Sequence, residues 1–394
     1  MLGVVAAPVI ATSPNTMQRR LVRLAVALGL LWLALPAGDA PAQRRQVPSG
    51  FLGVNVGGPM IAPGFAASGE FATMARTGVE AQRLPLYWTL MQPSQDGPID
   101  FSVSDGLIGA AAAHGLRSLP TVMLAPPWAA RDPNNAASPP RDPATYGAFL
   151  TGLVQRYGPG GGFWRAHPEL TPVPVRDWQI WNEPAQGRYW SEQPFASGYV
   201  ALLRAGRAGL QRADPGAHIL LAALNTAANF TAWGSLEEIY RAGGRGLFDG
   251  VAVNPFTARP GNVVRTVELI RRVMARHGDS RLSATLTEIS WPSAAGHRLA
   301  LSIGGIVVSE RIQAQRVAAV MPLLAAARRR LRIASVYWYT WVSPPLGSTD
   351  PFDYAGLRRQ SRGGVVSKPA LASYRSAARI LEGCAKTSVA TRCR

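Results

Sequence analysis

Residues 177–184 read Asp177-Trp178-Gln179-Ile180-Trp181-Asn182-Glu183-Pro184. Trp178 to Trp181 is aromatic and β-branched with little charge, the pattern of the end of a buried strand. Asn182 and Glu183 follow at once, and Pro184 stops the strand because it has no N–H for the ladder. A carboxylate directly after a buried strand, beside an amide and two indoles, is costly unless it has hydrogen-bond partners or a chemical task. An isolated strand-end glutamate reads most simply as half of a surface ion pair. One flanked by Trp181, Asn182 and Pro184 points to function.

Outward from this strand the chain alternates. Strand-like runs fall at 51–56, 79–88, 116–124, 175–181, 218–224, 250–253, 282–289 and 333–341. Helical stretches fall between and after them, at 70–77, 101–114, 144–157, 195–213, 233–242, 263–277, 310–330 and 368–381. No two strands look hairpin-linked, so helical crossovers between parallel strands are expected. Eight such units over 51–381 predict an α/β chain with a single (β/α)8 TIM-barrel domain. The competing architecture, a doubly wound open sheet, calls for a Gly-rich phosphate loop after the first strand. Gly57-Gly58-Pro59 does not fit that fingerprint.

The chain has 394 residues, 47% of them hydrophobic, enough for one large core. Its net charge is +18, and of 41 basic residues only Lys368 and Lys386 are lysines. The arginines scatter through helical stretches, as in Arg271-Arg272 and Arg328-Arg329-Arg330, and no basic block alternates with aromatics. That pattern predicts no nucleic-acid partner, while the charge itself suits an acidic polymer or an anionic surface. At the N-terminus, Arg19, Arg20 and Arg23 precede the apolar run Leu24 to Leu35. Pro36 ends that run, and Ala40-Pro41-Ala42 is a small-x-small cleavage site. Residues 1–42 therefore read as an export signal with an upstream extension, 43–50 as a linker and 382–394 as a tail. The apolar run is too short to span a bilayer comfortably, so no stable membrane span is expected once the signal is removed. The mature chain is expected to be secreted or held at the cell envelope. The two cysteines, Cys384 and Cys393, both lie in the tail, where export predicts a disulfide between them.

Residues just past the strands of such a barrel gather at one mouth. They include Arg83, Trp88, Trp128, Asn182, Glu183, Asn225, Asn254, Phe256, Glu288, Trp291, Trp338 and Trp341. Two are carboxylates, from the fourth and seventh strands; most of the others are amides and indoles, with one guanidinium. Indole faces stack on sugar rings, and Asn and Arg bond hydroxyls. Paired carboxylates are what cleavage of a glycosidic bond needs: one held protonated as acid, one ionised. Arg83 next to Glu288 would keep that carboxylate ionised. No metal or cofactor is expected, because His114, His167, His218, His277 and His297 form no ligand spacing. Ser290 and Ser293 lack a nucleophile elbow. Trp164 and Trp190 fit packing as well as they fit outer sugar subsites.

These motifs have a family resemblance. Trp181-Asn182-Glu183-Pro184 resembles the acid/base signature of clan A glycoside hydrolases, and Thr287-Glu288-Ile289-Ser290-Trp291-Pro292 looks like that clan's nucleophile strand. Arg83 resembles the arginine ending its second strand. Trp88, Gln92-Pro93, Asp100-Phe101 and Asp105 resemble the next segment in families thirty-nine, forty-two and five, of which family thirty-nine is most similar. The resemblance runs from about Phe51 to Leu381. It implies a retaining glycosidase acting on an oligosaccharide or polysaccharide, with Glu183 as acid/base and Glu288 as nucleophile. Asn182 would bind the hydroxyl next to the anomeric carbon, and Trp338 or Trp341 would floor the cleaved subsite. One departure is clear: Asn254-Pro255-Phe256 stands where the clan often has His-Pro-Tyr. A carbohydrate-binding barrel with little catalysis, or a transglycosylase, would share most of these residues.

Overall fold

The computed structural model describes residues 44–383 apart from 63, 66 and 302. The expected signal at 1–42 and the Cys384–Cys393 pairing lie outside the described residues. β1 (Leu52–Asn55), β2 (Ala81–Tyr87), β3 (Arg117–Met123) and β4 (Asp177–Ile180) are the first four staves. The fifth is broken into β5 (His218–Leu220) and β6 (Leu224–Asn225), and β7 (Gly250–Asn254), β8 (Ser283–Ile289) and β9 (Ile333–Trp338) complete the set. Every pairing among them is parallel, and β9 against β1 and β5 against β7 close the ring. The eight-stave barrel expected from the sequence is therefore the fold, with helices wrapped outside it.

The break in the fifth stave is bridged by a side chain. The Tyr199 hydroxyl accepts from the Ala222 N–H at 2.6 Å and donates to the Ile180 carbonyl at 3.0 Å. One phenol thus stands in for ladder bonds at the end of β4, immediately before Trp181-Asn182-Glu183.

Two corrections concern the last third of the chain. The final stave ends at Trp338, and Trp341 lies beyond it. After it comes a small sheet of β10 (Val342–Ser343), β11 (Arg358–Ser361) and β12 (Gly364–Ser367), in which β11 and β12 form an antiparallel hairpin across Arg362-Gly363. The expectation of no hairpin fails here because β11 and β12 are half-exposed and rich in Arg, Ser and Gly, so they carry no apolar alternation to read.

The barrel interior is layered. Ala81, Leu119, Leu220 and Tyr337 form a separate apolar cluster. Gly53 makes room for it: a Cβ there would sit 2.4 Å from the Tyr337 ring. Side chains on a strand alternate, so the next inward positions along β1, β2 and β3 are Asn55, Arg83 and Thr121. All three are buried. An apolar plug therefore supports a polar layer, and that layer is the floor of the mouth. Gly53→Ala is expected to overpack the plug and cost about 1–3 kcal/mol, read as a lower urea midpoint with unchanged slope.

Candidate active site

Arg83 on β2 is the centre of the polar layer and only 6% exposed. Its Nη1 donates to Glu288 Oε1 at 2.7 Å and to Asn55 Oδ1 at 2.6 Å. Its Nε donates to Gln179 Oε1 at 2.9 Å and its Nη2 to Asn182 Oδ1 at 2.9 Å. One guanidinium thus joins β1, β2, β4, the turn after β4, and β8. Asn55 Nδ2 in turn donates to the Thr287 carbonyl at 2.8 Å, which fixes the residue before Glu288.

Glu183 is reached by a strained turn. Trp181 (φ 68°) and Glu183 (φ 46°) are both left-handed without being glycine, a conformation that costs about 1–3 kcal/mol per residue. Hydrogen bonds offset it: Trp181 N–H to Val122 O at 3.0 Å, Glu183 N–H to Ala223 O at 3.0 Å, and the Trp181 indole to Tyr189 O at 2.8 Å. The Glu183 carboxyl accepts from Asn254 Nδ2 at 2.8 Å on one oxygen and from Gln186 Nε2 on the other. Thr287 Oγ1 donates to Asn254 Oδ1 at 2.8 Å and so orients that amide.

The two carboxyls are electrostatically unequal. Burial first, and then the charge of Glu288, push Glu183 up to about 7. Burial also raises Glu288, but the Arg83 charge and hydrogen bond act against it. Arg83 is hydrogen-bonded to Glu288 at 2.7 Å, whereas Arg188 forms only a longer ion pair with Glu183, at 3.7 Å. The Asn254 amide, bonded to Glu183, favours its ionised form but is outweighed by burial. The pair therefore keeps its last proton on Glu183 and its negative charge on Glu288.

Against Glu288 lies a cavity of about 220 Å³, whose lining does not include Glu183. Its lining includes Arg83, Asn182, Glu288, Tyr87, Tyr189 and Tyr339. Asn182 Nδ2 has no protein partner among the described residues, so the amide has a free donor there. Among the described residues no group of His, Cys, Asp and Glu could hold a metal ion, and no helix is long and apolar enough to cross a membrane.

The tryptophans are placed differently from the sequence expectation. Trp88, Trp291, Trp338 and Trp341 are buried and do not line this cavity. Trp88 stacks on Phe149, and the Trp341 indole donates to Glu70 on the outer helix Ser68–Thr77 at 2.8 Å. Trp291 and Trp338 donate to the carbonyls of Thr257 and Ala355. Trp128 is half-buried with its indole on the Gln92 carbonyl, edge-on to Trp88. The aromatic wall is made instead by Tyr87, Tyr189, Tyr339 and Phe352, with Phe256 packed 5.0 Å from Phe352 and 6.4 Å from Tyr339. Sequence reading also passed over Asn55 and Gln179. The signal for Gln179 was present: an uncharged polar residue in the middle of an otherwise apolar strand.

No protein-family model and no curated protein sequence matches the chain. Among solved structures, it is similar to a family 39 glycoside hydrolase from Bacteroides cellulosilyticus WH2, with TM-score 0.63 and 17% identity, over 84% of this chain and 64% of that one. It is also similar to a glucosidase from Croceicoccus marinus, with TM-score 0.59 and 14% identity, over 85% and 69% of the two chains. A third is an exo-β-1,4-mannosidase from Opitutaceae bacterium strain TAV5, with TM-score 0.56 and 15% identity, over 87% and 62%. This chain thus spans less than two thirds of the family 39 enzyme. At these identities the likeness establishes the barrel fold.

Replacing Arg83 tests the network through stability. Arg83→Met leaves Glu288 buried without its cation, and breaking such a pair costs about 3–5 kcal/mol. Burial alone would then hold the folded-state pKa of Glu288 above its unfolded value of about 4.3. The unfolded chain gives up this proton first, so the deficit should grow as pH rises above about 4.3. Urea melts at pH 4 and pH 7 read this, and adding Glu288→Gln should recover the pH-dependent part.

Proposed function

We propose that this chain is an exported retaining glycoside hydrolase that cleaves O-glycosidic bonds of an oligosaccharide or polysaccharide through a glycosyl-enzyme intermediate. The observation that carries the reading is the inequality of two buried carboxyls that feel each other's charge: Glu288 in contact with Arg83, Glu183 lifted to about 7. Double displacement needs that division of tasks.

In the first half-reaction Glu288 attacks the anomeric carbon with Oε2, since Oε1 is held by Arg83. The bond to the leaving oxygen breaks as Glu183 gives that oxygen its proton. In the second half-reaction Glu183, now ionised, takes a proton from water. The water oxygen bonds to the anomeric carbon, and the ester to Glu288 breaks. Asn182 offers its unpaired Nδ2 to the hydroxyl beside the reacting carbon. Arg83 keeps Glu288 anionic for attack and stabilises it again as it leaves.

The export half of the proposal rests on the basic and apolar segment before Ala42. The likeness to glycoside hydrolases of the same fold supports the carbohydrate half, as do the quoted motifs.

A panel of aryl glycosides is the test. The wild type should turn over at least one, and Glu288→Ala should lose at least about 10⁴-fold and regain turnover with azide as an external nucleophile. Glu183→Ala should lose much less on activated nitrophenyl glycosides than on poor leaving groups. No release of product from any member, together with tight oligosaccharide binding, would instead indicate a binding barrel. The rate should also fall as pH rises through about 7, where Glu183 loses the proton it must donate.

A further inference from the structure

We infer that Arg188 selects glycosides whose leaving group carries an oxyanion, as a uronic acid or a sulfated sugar does. The inference rests on the hydrolase reading and names its substrate class. Arg188 sits in the turn after Glu183, its side chain 54% exposed, with Nη2 3.7 Å from Glu183 Oε2. That separation is too long for a hydrogen bond, and Glu183 Oε2 already accepts from Gln186. The guanidinium lies over the face of Tyr189, 4.8 Å from the ring centroid. Among the described residues it donates no hydrogen bond to protein. An arginine held over an aromatic ring, with only a long ion pair to Glu183 and no hydrogen bond to protein, is a preformed oxyanion receptor.

Its position says which part of a substrate it would meet. The cavity is lined by Arg83, Asn182 and Glu288, and both Glu183 and Arg188 are outside that lining. The oxygen that Glu183 protonates belongs to the leaving group, so the leaving group must come against Glu183 and therefore close to Arg188. The rest of the molecule agrees in sign, with a net charge of +18 that attracts an acidic polymer.

Arg188 also has a cost that an acidic substrate would relieve. The groups acting on Glu183 are Glu288 from β8, Arg83 from β2, the neutral Asn254 from β7 and Arg188 from its own turn. Arg188 favours the ionised form and so weakens Glu183 as an acid. A substrate carboxylate or sulfate pairing with Arg188 cancels that influence and lets Glu183 keep its proton to higher pH. Recognition of the leaving group and readiness of the acid are then coupled through one side chain.

The experiment uses phenyl glycosides of the sugar that the panel selects, without a nitro group so that departure needs the Glu183 proton, and with a carboxylate, a sulfonate or a neutral carboxamide on the leaving ring. Wild type should show kcat/KM about tenfold higher for an anionic ring than for the carboxamide, the size of one charge-assisted hydrogen bond. The carboxylate and sulfonate arms separate uronate from sulfate preference, and either preference supports the inference. Arg188→Gln should bring the ratio to about one with an unchanged thermal midpoint, and Arg188→Lys should keep part of it. The alkaline limb of kcat should lie at higher pH for the preferred anionic substrate in wild type, and at one common pH for all three in Arg188→Gln. Equal turnover of all three by wild type, or a ratio that survives Arg188→Gln, overturns the inference while leaving the hydrolase reading in place. Failure to turn over any glycoside in the panel removes both.

Discussion

The guanidinium of Arg83 is the constraint on which the rest of the mouth depends. A buried cation with unmet donors would cost several kcal/mol, so its acceptors have to be where they are. Asn55, Gln179, Asn182 and Glu288 come from β1, β4, the following turn and β8. Only a closed barrel brings these segments around one point. The link from packing to chemistry is direct: Gly53 admits Tyr337, Tyr337 completes the apolar plug, and the plug carries the polar layer in which Arg83 lies. Moving any one acceptor would leave a charged donor unpaired.

The same arginine sets the difference between the glutamates. Both are almost wholly withdrawn from water, and burial alone would protonate both. The contact with Arg83 breaks the tie in favour of charge on Glu288. The backbone contributes the other half by holding Glu183 in a left-handed conformation after a left-handed Trp181. That zigzag is a local cost accepted to turn the carboxyl back toward Asn254 and Gln186. The bonds that hold it come from Val122, Ala223 and Tyr189, three different segments, so the strain is distributed into the barrel wall.

Much of this was legible in the sequence, and unevenly so. The barrel was legible because eight apolar runs alternate with helical periods, a signal repeated too often to be local accident. Arg83, Asn182, Glu183, Asn254 and Glu288 were legible because charged or amide groups within or just after apolar strands have no packing reason to be there. The tryptophans were not. An indole is drawn to a core as strongly as to a sugar face, and Trp88, Trp291, Trp338 and Trp341 went to the core. Their neighbours took the cavity: Tyr87 one residue before Trp88, and Tyr339 one residue after Trp338. Each pair straddles the end of a stave, β2 at Tyr87 and β9 at Trp338, and composition alone gives no reason to prefer either neighbour. The β11–β12 hairpin was silent for the opposite reason, its only apolar residues being the adjacent Val365 and Val366, which give no alternation.

Asn254 shows why such substitutions need a structure to be understood. From sequence it is a missing imidazole. In the site it is a neutral amide aligned by Thr287 and bonded to Glu183. An imidazole there would add a third group titrating near neutrality, and the proton count would then be divided among three. An amide adds none. The tyrosines of the wall behave alike: burial raises Tyr87, Tyr189 and Tyr339 above the ordinary phenol range, so they stay neutral donors. With guanidinium groups always charged and phenols always protonated, the last proton of the glutamate pair is what changes near neutral pH. A site built this way makes Glu183 answerable chiefly to Glu288 and to the two nearby arginines, one buried and fixed, the other exposed and free to change partners.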